Sequence, residues 1–235
     1  MINNIRFYIS PYFLVRHYLK RDISYFAKKY NFEGTLLDFG CGEKPYRKIF
    51  KKAEYFGIDF PVFSMNKDFL GEKPDYFFDE KYKQDMILPF SEESFNNSVS
   101  FQVLEHHKYP NLMIREMVRV TKKGGLILLT CPFIGGLHEV PNDFQRLTEY
   151  KLTDLFQSNG CEIVATKKQG SIFSAISMLL NEQLNYFAAG NKVKYFIAVI
   201  LYLPLLFFQY ISLILDHFVK SDIIFINYIM LVTKK

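Results

Sequence analysis

The sequence is poor in cysteine, with three residues that stand far apart at Cys41, Cys131 and Cys161. This number and spacing exclude a disulfide framework and a zinc-binding framework. Each cysteine lies in an apolar run, which predicts free, buried thiols in a reducing compartment, such as the cytoplasm. The N-terminus lacks an uninterrupted apolar stretch followed by a small-residue cleavage site, so secretion is not expected.

Acidic residues are scarce at the N-terminus, and the whole net charge of +5 falls within residues 1–31. Apolar residues recur there at helical spacing: Val15, Leu19, Ile23, Phe26 and Tyr30. This pattern predicts an amphipathic basic helix. Two interpretations stay open: a helix that covers the domain with a solvated outer face, or a helix attracted to an anionic lipid surface. Without stacking motifs, a nucleic-acid partner is not expected.

Two glycine motifs are missing from the turn at residues 36–42, where a short apolar strand meets an aspartate and two glycines one residue apart. The dinucleotide fingerprint requires a third glycine where Pro45 stands, so a pyrophosphate ligand is disfavoured. The Gly-Lys-Ser or Gly-Lys-Thr of nucleoside triphosphate loops is also absent, which excludes an ATPase. Asp59 ends the next apolar run, where a carboxylate can accept both ribose hydroxyls. A nucleoside without a phosphate chain is therefore favoured.

Five motifs in chain order resemble those of class I S-adenosylmethionine-dependent methyltransferases, in the group often called type 11. They are residues 38–42, 57–59, 85–90, 103–106 and 119–125. The resemblance covers residues 34–168 and the last strand. It implies S-adenosylmethionine as the cofactor, no metal, and methyl transfer to a small-molecule, saccharide or lipid-linked acceptor. The alternative is a catalytically silent, membrane-associated scaffold that kept the fold.

The resemblance also implies which residues hold the cofactor. Asp38 would hold the amino group of its methionine part, although a helix-capping aspartate is the structural alternative. Gly40, Cys41 and Gly42 would let the backbone approach the ligand. Asp59 would bind the ribose.

Further cofactor contacts are implied by the strand ends that follow. Phe60 would lie against the adenine, and Asp85 and Met86 would contact the adenine edge, although Asp85 could simply end a strand. Phe101 and Gln102 would line the methionine part.

The acceptor side is implied by two regions. His106, His107 and His138 are the candidates for a general base, by the pKa class of histidine. His106 could equally be a structural histidine. Asp143 and Arg146 form part of a Pro-x-Asp-x-x-Arg pattern that is similar to one in methyltransferases of bacterial surface-sugar loci. They would contact the acceptor or form an ion pair that orders the loop.

Short β-rich runs alternate with helical periodicity from residue 34 onward, which is typical of α/β proteins. We predict a doubly wound, mostly parallel seven-stranded sheet, the Rossmann-like methyltransferase fold, with an apolar helical insertion before the last strand. The predicted strands are 35–39, 54–58, 76–84, 98–103, 125–131, 161–168 and 224–233. The predicted helices are 11–30, 45–51, 110–121, 149–158, 172–188 and 195–218.

Residues 195–215 carry no charge, and this length of helix matches the thickness of a bilayer. A single span would separate the last strand from its sheet, and Pro204 is expected to break the helix. The insertion is therefore interpreted as a hairpin that dips into one leaflet, or as a lid and homodimer face. The predicted organisation is an N-terminal helix at 1–33, a methyltransferase domain at 34–170 and 221–235, and the insertion at 171–220. The expected location is the cytoplasm, with peripheral or monotopic attachment to the inner membrane face as one alternative.

Overall fold

The computed structural model describes residues 8–60, 72–78 and 87–235. Its strands are β1 (Gly34–Phe39), β2 (Ala53–Asp59), β3 (Tyr76–Phe77), β4 (Asn97–Phe101), β5 (Leu126–Pro132), β6 (Cys161–Gln169) and β7 (Asn227–Lys234). Its helices are α1 (Phe13–Lys29), α2 (Pro110–Val120), α3 (Glu149–Ser158), α4 (Ile172–Ala188) and α5 (Lys192–Phe218).

The seven strands form one mixed sheet in the order β3-β2-β1-β4-β5-β7-β6. The pairs β1–β2, β1–β4, β2–β3 and β4–β5 are parallel. The hydrogen bonds of β7 give it the opposite direction, because Lys234 N donates to Gly125 O (3.1 Å) while Phe133 N donates to Ile226 O (2.8 Å). The winding reverses between β1 and β4, which brings the ends of these strands to the place where ligands bind in such sheets.

The central strands are buried on both faces, which explains their continuous apolar runs. Leu36, Leu37 and Val99 have no exposed surface. Helix α2 begins with Pro110, whose missing N–H is not needed in a first turn. Helix α3 begins after Thr148, whose Oγ1 accepts a hydrogen bond from Lys151 N at 3.2 Å, as predicted for a cap.

Three predicted elements differ from the structure. The helix predicted at 45–51 is only a 3-10 turn at Arg47–Ile49, because Lys44 has a left-handed backbone (φ 53°) and no side chain caps the turn. The strand predicted at 76–84 has two residues, and 79–84 lie outside the described part of the chain. Helix α5 runs through Pro204, so the expected break is wrong: the loss of one backbone hydrogen bond does not end a 27-residue helix.

The chain divides into two compact units. The first contains Met1–Arg21, Pro132–His138 and Lys168–Tyr228. The second contains Asp22–Cys131, Glu139–Lys167 and Ile229–Lys235. The domain boundaries proposed from the sequence remain a prediction.

Each unit has its own stabilising contacts. In the first, the buried residues that pack together are Phe13, Leu14, Tyr18, Ala175, Met178 and Ile226. In the second, the fully buried Asp22 of α1 pairs with Lys167 Nζ at 2.6 Å. The three cysteines are buried and free, as predicted.

Candidate active site

Asp38 ends β1 with its carboxyl group buried. One oxygen accepts a hydrogen bond from Tyr55 OH, and Oδ1 has no hydrogen-bond partner among the described residues. Burial raises the pKa of Asp38 to about 8, and the nearby charge of Asp59 acts in the same direction. An unpaired buried carboxyl oxygen is costly, so this atom is suited to accept a hydrogen bond from a ligand ammonium group.

Gly40 follows this strand in a left-handed conformation with φ of 66°. A Cβ at this position would lie 2.5 Å from Cγ2 of Val103, which is two residues beyond the end of β4. Gly42 is also left-handed (φ 49°) but has no neighbouring atom within 4 Å of such a Cβ. The turn therefore needs glycine at position 40 for both conformation and space, and at position 42 for conformation alone.

Asp59 links the end of β2 to the same turn. Its Oδ2 accepts a hydrogen bond from Gly42 N and its Oδ1 accepts one from Phe60 N, both at 2.7 Å. The carboxyl group is buried, which raises its pKa, while these two backbone bonds lower it. Phe60 stacks on Phe78 with ring centroids 4.6 Å apart. The structure thus brings Gly42, Asp59 and Phe60 together, as the sequence predicted.

Two further residues hold this turn in place and were missed in the sequence. Lys44 Nζ, on a side chain that is 2 % exposed, forms an ion pair with Asp75 Oδ2 at 2.7 Å. The same oxygen accepts a hydrogen bond from Gly57 N at 2.7 Å. Asp75 lies outside the five sequence motifs, so no local pattern could have connected it with Lys44.

The end of β4 carries the next two predicted residues. Phe101 is buried, with its ring 5.0 Å from that of Tyr46. Gln102 has a left-handed backbone (φ 57°), and its Nε2 donates to Thr130 Oγ1 at 3.1 Å. Thr130 on β5 was missed, because its role depends on pairing of β4 with β5.

His106 lies in the 3-10 turn Leu104–His106 after β4. Its Nδ1 is 3.0 Å from Asn142 O, and because a carbonyl can only accept, Nδ1 donates and Nε2 carries the lone pair in the neutral ring. Nε2 lies 3.9 Å from Glu105 Oε1 and 3.8 Å from Glu139 Oε2. The ring is therefore oriented with its basic nitrogen between two carboxyl groups.

The loop at 139–147 packs on the 3-10 turn Leu104–His106. Asp143 and Arg146 form a two-pronged ion pair, with Nη1–Oδ1 at 2.5 Å and Nη2–Oδ2 at 2.9 Å. Gln145 Nε2, which was missed in the sequence, donates to His107 O at 2.7 Å and to Leu104 O at 3.2 Å. These contacts favour the loop-ordering role of the ion pair over direct acceptor contact.

Glu105 is a buried acid that sequence reasoning did not select, and both carboxyl oxygens have no hydrogen-bond partner among the described residues. Burial raises its pKa to about 8. At pH values between the pKa of this carboxyl group in the unfolded chain and its pKa in the folded protein, the folded state holds a proton that the unfolded state has lost. The free energy of unfolding therefore falls as the pH rises through this range. We expect Glu105→Gln to raise Tm by about 5 °C more at pH 8 than at pH 5 in thermal unfolding. The exposed Glu92→Gln is the control, and an equal gain at both pH values would contradict this interpretation.

The remaining predicted residues are His138, Asp85 and Met86. His138 belongs to the first unit, where its exposed ring contacts Gly136 O through Nδ1 at 3.1 Å. Asp85 and Met86 lie outside the described residues.

The family model described as a methyltransferase domain matches residues 37–129. A search of curated proteins found no match. Among solved structures, the [4+2]-cyclase SpnF is similar with a TM-score of 0.57 and 20% identity, covering 92% of this chain and 81% of that one. A candidate methyltransferase from Bacillus halodurans C-125 has a TM-score of 0.53 and 14% identity, covering 91% of this chain and 99% of that one.

A third similar structure is phosphoethanolamine N-methyltransferase 2 of Haemonchus contortus in complex with S-adenosylmethionine. Its TM-score is 0.53 at 16% identity, and the match covers 91% of this chain but 52% of that one. At these identities the likeness concerns the fold. Because one of the three is a cyclase, the fold alone does not define the reaction.

Proposed function

Since this chain is a class I S-adenosylmethionine-dependent methyltransferase of the type 11 group, we propose that it methylates a small-molecule, saccharide or lipid-linked acceptor. The observation that carries the proposed site is the unpaired, buried Oδ1 of Asp38 beside the turn that Asp59 connects to β2. This combination offers one acceptor for an ammonium group and one carboxylate for a ribose, on a backbone without side chains at Gly40 and Gly42.

Asp38 and Asp59 would bind different parts of the cofactor. Asp38 would accept from its amino group, and the approach of that cation would favour the ionised carboxylate. Asp59 would accept from the ribose hydroxyls with the lone pairs that Gly42 N and Phe60 N leave open. The bound cofactor supplies an electrophilic methyl group on a sulfonium.

His106 is proposed as the general base. With the cofactor held by Asp38 and Asp59, His106 Nε2 would take the proton of an acceptor hydroxyl whose oxygen receives the methyl group, and S-adenosylhomocysteine would leave. The hydrogen bond from Nδ1 to Asn142 O holds the ring in the tautomer this step requires. Glu105 and Glu139 face the same nitrogen and would stabilise its protonated form.

We expect His106→Gln to lower kcat about 100-fold or more while the affinity for S-adenosylmethionine stays within a factor of two, because the base acts only in the chemical step. His138→Ala is the matched comparison. If turnover is lost with His138→Ala and kept with His106→Gln, the base is His138. If both variants keep full turnover, neither histidine is the base.

The acceptor is tested by incubating the protein with labelled S-adenosylmethionine and a panel of nucleotide sugars and lipid-linked saccharides, followed by product mass spectrometry. A mass increase of one methylene with release of S-adenosylhomocysteine is expected. Calorimetry with the cofactor separates the enzyme from the scaffold alternative. Absence of binding would favour the scaffold.

We also propose a cytoplasmic location at the inner face of a membrane, where lipid-linked acceptors are available. The buried, free thiols support a reducing compartment. Membrane contact would involve residues 172–218 and the basic N-terminal helix, whose Arg16 and Lys20 are exposed. A homodimer through the same apolar face is the competing arrangement.

A further inference from the structure

The α4–α5 hairpin buries polar side chains and exposes apolar ones. The residues buried along the two helices are mostly small or polar: Ser174, Ala175, Ser177, Met178, Asn181, Ala198, Gln209 and Ser212. A helix pair of a water-soluble domain has the opposite arrangement, with its apolar stripe facing inward. The hairpin is therefore built for surroundings less polar than its own interior.

The outer face of α5 is almost entirely hydrocarbon. Phe196, Leu203, Phe207 and Phe218 are each at least two thirds exposed, at 67%, 67%, 69% and 77%. Helix α5 is long and apolar enough to cross a membrane by length and composition, yet only 17% of its most apolar window is buried. A core helix of a soluble protein would be mostly buried, and soluble monomers rarely expose so continuous an apolar surface.

Two buried polar side chains of the hairpin bond to backbone carbonyl groups of the hairpin itself. Ser212 Oγ, on α5, lies 2.8 Å from Phe208 O and 3.2 Å from Phe173 O on α4. Asn181 Nδ2 donates to Ser177 O at 2.7 Å. Small and polar residues in a helix–helix contact, with hydrogen bonds across it, are typical of helices that pack in lipid.

The acidic groups of the hairpin are also satisfied from within the first unit. Asp216 Oδ2 accepts from Tyr18 OH at 2.6 Å and from Ser171 N at 3.0 Å. Glu182 Oε2 accepts from Gly136 N at 2.8 Å. Residues 195–215 carry no charge at all. The part of α5 between residues 195 and 215 thus exposes no charged side chain.

The chain path excludes a single crossing of the membrane by the hairpin. The chain enters the hairpin from β6 and returns to β7, and these strands are neighbours in one sheet. Both ends of the hairpin therefore remain on the same side of any membrane. Lys192 and Lys194 at the start of α5 are exposed, and their long side chains can reach headgroup phosphates while the apolar residues stay below.

We propose that the outer face of the α4–α5 hairpin is buried among the acyl chains of one membrane leaflet, with anionic headgroups paired to basic residues of the first unit. Those basic residues are Arg16, Lys20, Arg21, Lys192 and Lys194, all exposed. The occupant of this face is thus a lipid surface. The hairpin and these basic residues all lie in the first unit, and the proposed lipid contact does not depend on methyl transfer.

The test is flotation of the full-length protein with vesicles of phosphatidylcholine, with and without phosphatidylglycerol. The protein is expected to float with both, and more with the anionic vesicles at low salt. Phe207→Asp places a charge in the acyl layer and is expected to weaken vesicle partition about 100-fold. The matched control is Tyr150→Asp on α3, a residue that is 84% exposed, which should leave partition unchanged.

Three outcomes would overturn the proposal: no flotation of the wild-type protein, equal flotation of the two variants, or a soluble dimer that Phe207→Asp converts to a monomer. Thermal unfolding of the same samples shows whether each variant is folded, and calorimetry with S-adenosylmethionine measures cofactor binding separately. Vesicle binding without cofactor binding would leave this inference intact and contradict the proposed function. Cofactor binding without vesicle binding would overturn this inference and the proposed membrane location, and would leave the proposed methyl transfer intact.

Discussion

Replacement of Asp59 by asparagine is expected to lower the affinity for S-adenosylmethionine about 100-fold. Both carboxylate oxygens accept backbone N–H groups, from Gly42 and from Phe60. Asparagine has only one oxygen, so its NH2 group would face one of these donors and displace the turn. The loss of a charged hydrogen-bond acceptor for the ribose adds to this effect. Isothermal titration calorimetry measures the change.

Glu54→Gln is the matched control for this experiment, because it makes the same chemical change at an exposed position on β2. It should bind the cofactor as the wild type does. Thermal unfolding of both variants without cofactor separates a lost contact from a lost fold. An Asp59→Asn protein that unfolds cooperatively and still binds within threefold of the wild type would exclude Asp59 from the cofactor site.

Gly40→Ala is expected to destabilise the protein by about 3 kcal/mol, or about 10 °C in Tm, and to abolish cofactor binding. Two effects add. The left-handed backbone (φ 66°) costs about 1–2 kcal/mol for any residue with a Cβ. The new methyl group would also lie 2.5 Å from the Val103 side chain, so the turn or β4 must shift. Calorimetric unfolding and cofactor titration measure the two losses.

Two variants separate strain from collision in this prediction. Gly42→Ala introduces the same kind of backbone strain without a steric clash, and should lower the free energy of unfolding by only about 1–2 kcal/mol. Val103→Ala in the Gly40→Ala background removes the colliding methyl groups and should recover part of the lost stability, which a double-mutant cycle quantifies. Equal losses for Gly40→Ala and Gly42→Ala, with no recovery, would show that the contact with Val103 has no role.

Local sequence patterns predicted most of the sheet. The strands at β1, β2, β4, β5 and β6 fall within about two residues of the predicted runs, because strands buried on both faces must be continuously apolar. The Thr148 cap could also be predicted from the sequence, because its hydrogen bond reaches only three residues along the chain. The convergence of the turns after β1 and β2 was anticipated because consecutive parallel strands end at one edge.

Contacts between segments that are far apart in the sequence could not be predicted from local patterns. Tyr55 bonds to Asp38, Asp75 to Lys44 and Gln145 to His107, and each pair depends on how strands and loops are packed. The predicted break at Pro204 was wrong for a different reason. Local chemistry predicted a break, but the helix around it is long enough to tolerate one missing hydrogen bond.

The sequence by itself determined the α/β sheet and the glycine turn with its two acids, because these depend on apolar runs and on residues close to a strand end. Only the tertiary structure decided which buried acids lack partners and which face of the apolar hairpin is exposed. Tyr18 meets Asp216 across 198 positions of chain, and such a contact exists only after packing. The composition of residues 172–218 could fit a buried lid or a lipid-facing hairpin. The proposed lipid contact rests on the burial of the polar side and the exposure of the apolar side.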